Sequence, residues 1–136
     1  MKNLIVAIVA LFVVFSCTAA SNGSASVGKN QPSIAATQWQ LAEAPAGVRT
    51  PTLLVERDRI SGNAGCNSYF STRFTMDTSG GRFSAGDLGA TKMMCENISV
   101  EQNFFEMLKL ANYYVINGDF LELYKDNLLL LRFKKL

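Results

Sequence analysis

The residues of this chain that could carry covalent or metal chemistry are its cysteines, its methionines and its carboxylates. Cys66 sits in a glycine-rich stretch, Ile60-Ser61-Gly62-Asn63-Ala64-Gly65-Cys66-Asn67-Ser68-Tyr69-Phe70, and Cys95 closes the run Thr91-Lys92-Met93-Met94-Cys95. Three chemistries are open to that pair. The two sulfurs could form a structural bridge; one could act as a redox thiolate; or both could join Met93 and Met94 in a soft Cu(I) site. Redox work calls for a depressed thiol pKa, usually from a second cysteine two residues away or a helix N-terminus, and Cys66 has no CxxC partner. The chain has no histidine, which excludes Ser-His-Asp and Cys-His catalysis and any zinc site that relies on imidazole. Glu56, Asp58, Asp77, Asp87 and Glu96 offer carboxylates for hydrolysis, but nothing in their spacing pairs two of them across a site. No glycine-rich stretch follows a strand and opens a helix in the phosphate-binding manner.

The third cysteine has a different setting. Met1-Lys2-Asn3 is a positive start, and Leu4 to Phe15 is an unbroken apolar run of signal-peptide length, too short for a spanning helix of roughly 20 residues. It ends in Val14-Phe15-Ser16-Cys17, which resembles the bacterial lipobox. On that reading residues 1–16 are a lipoprotein signal peptide, and Cys17 becomes the acylated first residue that anchors the protein to a membrane. The other reading is an ordinary secretory signal cut after Ala19 or Ala20. By analogy with lipoprotein sorting, Thr18 in place of Asp suits an outer-membrane destination. Either way the exported protein retains Cys66 and Cys95, and an even count in an oxidising compartment points to a disulfide. In the chain-entropy model, closing a loop of about 30 residues contributes roughly 3.5 kcal/mol.

The elements around these residues follow from patterning. Residues 17–36 are rich in Ser, Asn, Gly, Ala and Gln and read as the acylated cysteine and a flexible tether; one folded domain is expected over 37–136. Trp39 and Leu41 alternate with glutamines as in a half-buried strand, and Thr52 to Glu56 is β-rich. Phe70, Thr72, Phe74 and Met76 alternate with polar residues, predicting one apolar and one wet face. Ser79-Gly80-Gly81 predicts a hairpin turn. Ser99 and Gln102 have capping-box spacing, and Phe104, Phe105, Leu108 and Ala111 share one face of a helix over about 99–112, with Glu101, Glu106 and Lys109 filling much of the remainder. Tyr113 to Ile116, Phe120 to Tyr124 and Leu128 to Phe133 read as closing strands joined by turns at Asn117-Gly118 and Lys125-Asp126-Asn127. The expected fold is mainly β (α+β): a small antiparallel β-barrel-like meander with one α-helix packed against an opening.

In this order the parts resemble the META domain, or HslJ-like, family of bacterial envelope lipoproteins. The likeness rests on Trp39-Gln40-Leu41, on Gly62 running into Gly65, Cys66, Asn67 and Tyr69, on Thr91, Met93 and Cys95, on Glu101 and Phe105, and on Leu121-Glu122-Leu123 with the last strand. The resemblance implies a barrel-like β fold, export, an association of some members with stress or antibiotic tolerance, and no established enzymatic activity.

Charge adds one exclusion. Lys and Arg number 13 against 11 acids, and the mature chain without Lys2 is close to neutral, so no electrostatic footprint for nucleic acid is present. The expected function is a lipid-anchored envelope module without cofactor, structural or binding, whose partner is an envelope protein or a small apolar ligand. The alternatives are a thiol redox protein using Cys66 and Cys95, and a carrier of a small apolar ligand.

Overall fold

The computed structural model describes residues 28–136; the expected signal peptide, Cys17 and the first part of the tether lie outside them. Among the described residues there are ten strands and one helix: β1 (Thr37–Leu41), β2 (Thr52–Val55), β3 (Ile60–Asn63), β4 (Ser68–Ser71), β5 (Thr75–Asp77), β6 (Arg82–Ser84), β7 (Gly89–Ala90), α1 (Ile98–Leu110), β8 (Tyr113–Asn117), β9 (Phe120–Lys125) and β10 (Leu128–Lys135). All pairings are antiparallel. The strands run β5-β6-β8-β9-β10-β1-β2-β3-β4-β7 across one sheet, as short strands separated by turn residues favour.

The sheet curls into a half-barrel. Phe104 of α1 lies with its ring centroid 5.6 Å from Tyr69 on β4 and 6.2 Å from Phe133 on β10. Those strands are four positions apart in the sheet, so a single ring can touch both only because the sheet bends around it. Trp39, Leu53, Ile60, Phe83, Tyr114, Leu121, Leu123 and Phe133 fill the interior. The Ser71 hydroxyl donates to the Ala85 carbonyl, joining the end of β4 to the chain that leaves β6 where no ladder connects them.

Four expectations need correcting. The packed chain starts before Thr37: Ile34 is fully buried, Asn30 and Gln31 donate backbone hydrogen bonds to Ser79 and Thr78 (3.0 and 2.8 Å), and Tyr114 Oη donates to Pro32 O. The Gln31 side chain also accepts from Ile116 N at 2.7 Å, supplying a partner for the part of β8 that extends past β6. Residues 28–36 are thus a strap of the domain, and the boundary expected at Thr37 lies earlier. Second, the alternation from Phe70 to Met76 is not one strand. Tyr69 and Ser71 face inward and Phe70 is 56% exposed; the chain bends after Ser71, and Phe74 is buried beyond the bend. Third, the helix begins at Ile98 with Asn97 as its cap residue and no side-chain capping bond. Ser99 therefore lies inside the first turn and not at the cap. Fourth, Glu101 is buried rather than solvated.

Candidate functional site

Asn67 lies at the point where the β3–β4 turn, the segment after β7 and the first turn of α1 meet, and its side chain is buried. Its Oδ1 accepts from the Thr91 hydroxyl and from Met93 N, each at 2.7 Å. Its Nδ2 donates to Glu101 Oε1 at 2.9 Å and to Met93 O at 3.2 Å, with Cys66 Sγ 3.5 Å away. Its backbone N–H donates to Glu101 Oε2 at 2.6 Å. Both oxygens of Glu101 are therefore taken up by one residue, in a helix first turn where the macrodipole favours a carboxylate. Among the described residues, every fully buried side-chain nitrogen and oxygen has a partner.

The turn that presents Asn67 is built by its neighbours. Gly65 takes a φ of +106°, which disfavours any side chain. The Asn63 side chain bridges the turn, accepting from Gly65 N at 2.9 Å and donating to Cys66 O at 3.2 Å. Gly62 is required for a different reason: a Cβ there would overlap the Thr52 carbonyl and crowd Tyr69 Oη. That carbonyl accepts from Tyr69 Oη at 2.8 Å. The Tyr69 ring packs 5.6 Å from both Phe104 and Phe105, and burial pushes its phenol well above the ordinary range.

Cys66 and Cys95 form a disulfide with their Cα atoms 6.2 Å apart, a normal separation for a bridge. Both residues are half-buried. The structure thus gathers Gly62, Gly65, Cys66, Asn67, Tyr69, Thr91 and Cys95 into one clasp. Met93 joins through its backbone only: its side chain is 57% exposed and that of Met94 is fully exposed. The carboxylates stay dispersed. Glu56 pairs with Arg59, Asp87 with Arg73, and Asp77 accepts from Ser79 and Gly80 in its own hairpin turn. These contacts hold the Glu56 and Asp77 carboxyls below their usual values. Among the described residues, no three Asp, Glu or Cys side chains converge as a metal site would require.

Sequence reasoning placed Glu101 in the matching motif but not in the clasp. The signal was its spacing: Glu101, Phe104, Leu108 and Ala111 recur at helical intervals, so the acid lies on the apolar stripe.

Comparison with known proteins adds the following. The model of one protein family, described as META domain, matches residues 32–135. An NMR structure of a protein from Burkholderia xenovorans is similar, with a TM-score of 0.62 and 22% identity over 75% of this chain and 83% of that one. A second NMR structure gives a TM-score of 0.55 at 22% identity over 73% of this chain and 88% of that one. These likenesses concern the fold. A comparison with curated proteins found no match.

Proposed function

The chain belongs to the META domain family, and from that premise we propose that it is a lipid-anchored, non-catalytic module of the bacterial cell envelope that binds a partner or ligand and serves tolerance of envelope stress. The observation that carries the non-catalytic part is the state of the clasp. Its sulfurs are joined to each other, the side-chain oxygen and nitrogen of Asn67 are engaged, and both oxygens of Glu101 are held by Asn67. A reacting group needs a lone pair or proton free to meet substrate, and here those groups hold three chain segments together. The half-buried bridge agrees with an oxidising compartment, and so supports export.

Anchoring rests on Val14-Phe15-Ser16-Cys17. In the full chain expressed in bacteria, wild type is expected in the detergent phase of a Triton X-114 extraction. Cys17→Ala should abolish acylation, globomycin should leave a larger, uncleaved form in the membrane, and replacing residues 1–17 with an ordinary secretory signal should move the exported protein to the aqueous phase. A wild-type protein found in the aqueous phase would end the anchor reading. The non-catalytic reading is tested separately by thiol titration: the bridge should resist mildly reducing glutathione buffers, and a labile pair with an oxidising potential would favour a thiol redox protein instead.

A further inference from the structure

Leu128, Leu129, Leu130 and Leu131 form the most apolar run in the described chain, yet Leu128 is 65% and Leu129 44% exposed. In a regular strand successive leucines would face opposite sides of the sheet. This strand is interrupted: Leu129 pairs with Tyr124 and Leu131 with the adjacent Leu123, leaving Leu130 as an extra residue in a β-bulge. Bulges re-aim side chains. Here Leu129, Leu130 and Leu131 all line one cleft of about 360 Å³, completed by Leu41, Glu43, Met107 and Arg132. A second cleft of about 240 Å³ shares Leu41, Glu43 and Met107 and follows α1 past Asn103 and Val100 to Pro51. The barrel interior is filled by side chains, so a ligand must sit in a surface cleft, and these two share lining residues along the seam between α1 and the sheet.

The two charges at the clefts differ in one respect. Arg132 is committed: its Nε lies 3.4 Å from Glu122 Oε1, and its guanidinium stacks 3.9 Å over the Phe120 ring. Glu43, which lines both clefts, makes no ion pair or side-chain hydrogen bond among the described residues. Apolar walls with one uncompensated carboxylate select a molecule with an apolar body and a positive head.

We infer that the paired clefts between α1, β1 and β10 bind a cationic amphiphile, its hydrocarbon against Leu129, Leu130 and Met107 and its cationic head at Glu43. This deepens the binding half of the proposed function and does not depend on the anchor. The test uses the chain exported under an ordinary secretory signal in place of residues 1–17, which needs no detergent, followed by ¹H–¹⁵N NMR below the critical micelle concentration. Dodecyltrimethylammonium should saturate one site, with shifts concentrated at Leu129 to Arg132, Met107 and Leu41. Dodecyl maltoside should bind more weakly and laurate weakest. Glu43→Gln, at an exposed position, should weaken the ammonium compound about 3- to 5-fold, as a partly exposed charge pair predicts, and leave dodecyl maltoside unchanged. Leu129→Ser should weaken all three. The inference is overturned by laurate binding as tightly as the ammonium compound, by an unchanged affinity in Glu43→Gln, by shifts spread away from the clefts, or by no saturable binding. A concentration-dependent dimer that buries Leu128 and Leu129 would overturn it too, because a second copy would then be the occupant. Failure here leaves the membrane partitioning of wild type untouched, so the two readings fall separately.

Discussion

Replacing Asn67 with alanine isolates the clasp. The substitution removes the acceptor of Thr91 Oγ1–H and Met93 N–H and the donor to Met93 O and Glu101 Oε1. A neutral hydrogen bond contributes about 1 kcal/mol net and one to an ionised group about 1.5–3, so the combined loss is roughly 5 kcal/mol, in a domain whose total stability is about 5–15 kcal/mol. Thr91→Val deletes only one of these bonds and should cost about 1 kcal/mol. Glu101→Gln falls between: its amide carbonyl can still accept one bond, but its NH₂ then faces an N–H of Asn67, another donor. Equilibrium urea unfolding reads these differences, and Trp39, the single tryptophan, is buried and so reports on the core. The expected order of loss is Asn67→Ala, then Glu101→Gln, then Thr91→Val. If Asn67→Ala costs no more than Thr91→Val, Asn67 is not the residue that joins the three segments.

Two further outcomes follow from the same region. Gly62→Ala forces a methyl into the Thr52 carbonyl, and either β2 moves away from β3 or the Tyr69 Oη bond breaks; a loss of about 1–3 kcal/mol in urea unfolding is expected, and an unchanged midpoint would mean that the glycine is dispensable. Alkali should destabilise the fold through Tyr69, whose phenol burial raises above its ordinary value of 10.0. The folded state keeps a proton that the unfolded state sheds, so this contribution is intact below pH 10 and declines above it by about 1.4 kcal/mol per pH unit. Tyr69→Phe should flatten the fall measured between pH 9 and 11, and an equal slope in both proteins would refute the assignment.

The strands and the helix were legible because turn chemistry and periodicity agree at most of them. Asn117-Gly118 and Lys125-Asp126-Asn127 do turn, with Gly118 and Asp126 both at positive φ. Where the reading failed, a local irregularity broke the period. From Phe70 to Met76 the even-numbered residues looked like one face, but the bend after Ser71 resets the phase, leaving Phe70 outside and Phe74 inside. The strap was missed for a compositional reason: Gln31, Pro32 and Ser33 look like linker, and the single buried apolar side chain among residues 28–36 is Ile34. Its order comes from backbone groups that find partners on Thr78, Ser79 and Tyr114, and such bonds leave no mark in composition. The Cys66–Cys95 pairing was open to counting alone. The geometry of Asn67 was not, since one asparagine looks like any other until its four partners are in place.

The clasp and the clefts meet on α1. Glu101, Phe104 and Leu108 form its inward stripe, and Glu101 is tied to Asn67. Val100, Asn103 and Met107 recur at the same spacing one residue earlier, on the neighbouring face, and line the clefts. Rotating or lifting the helix would move both faces together, because a helix turns as a body held by its own backbone bonds. Its N-terminus has no side-chain cap of its own. What fixes it is the Glu101 bond to the β3–β4 turn, with the disulfide immediately upstream. The clasp residues therefore set the position of Met107 against the bulged leucines of β10, and the family motif shapes a surface it does not itself line.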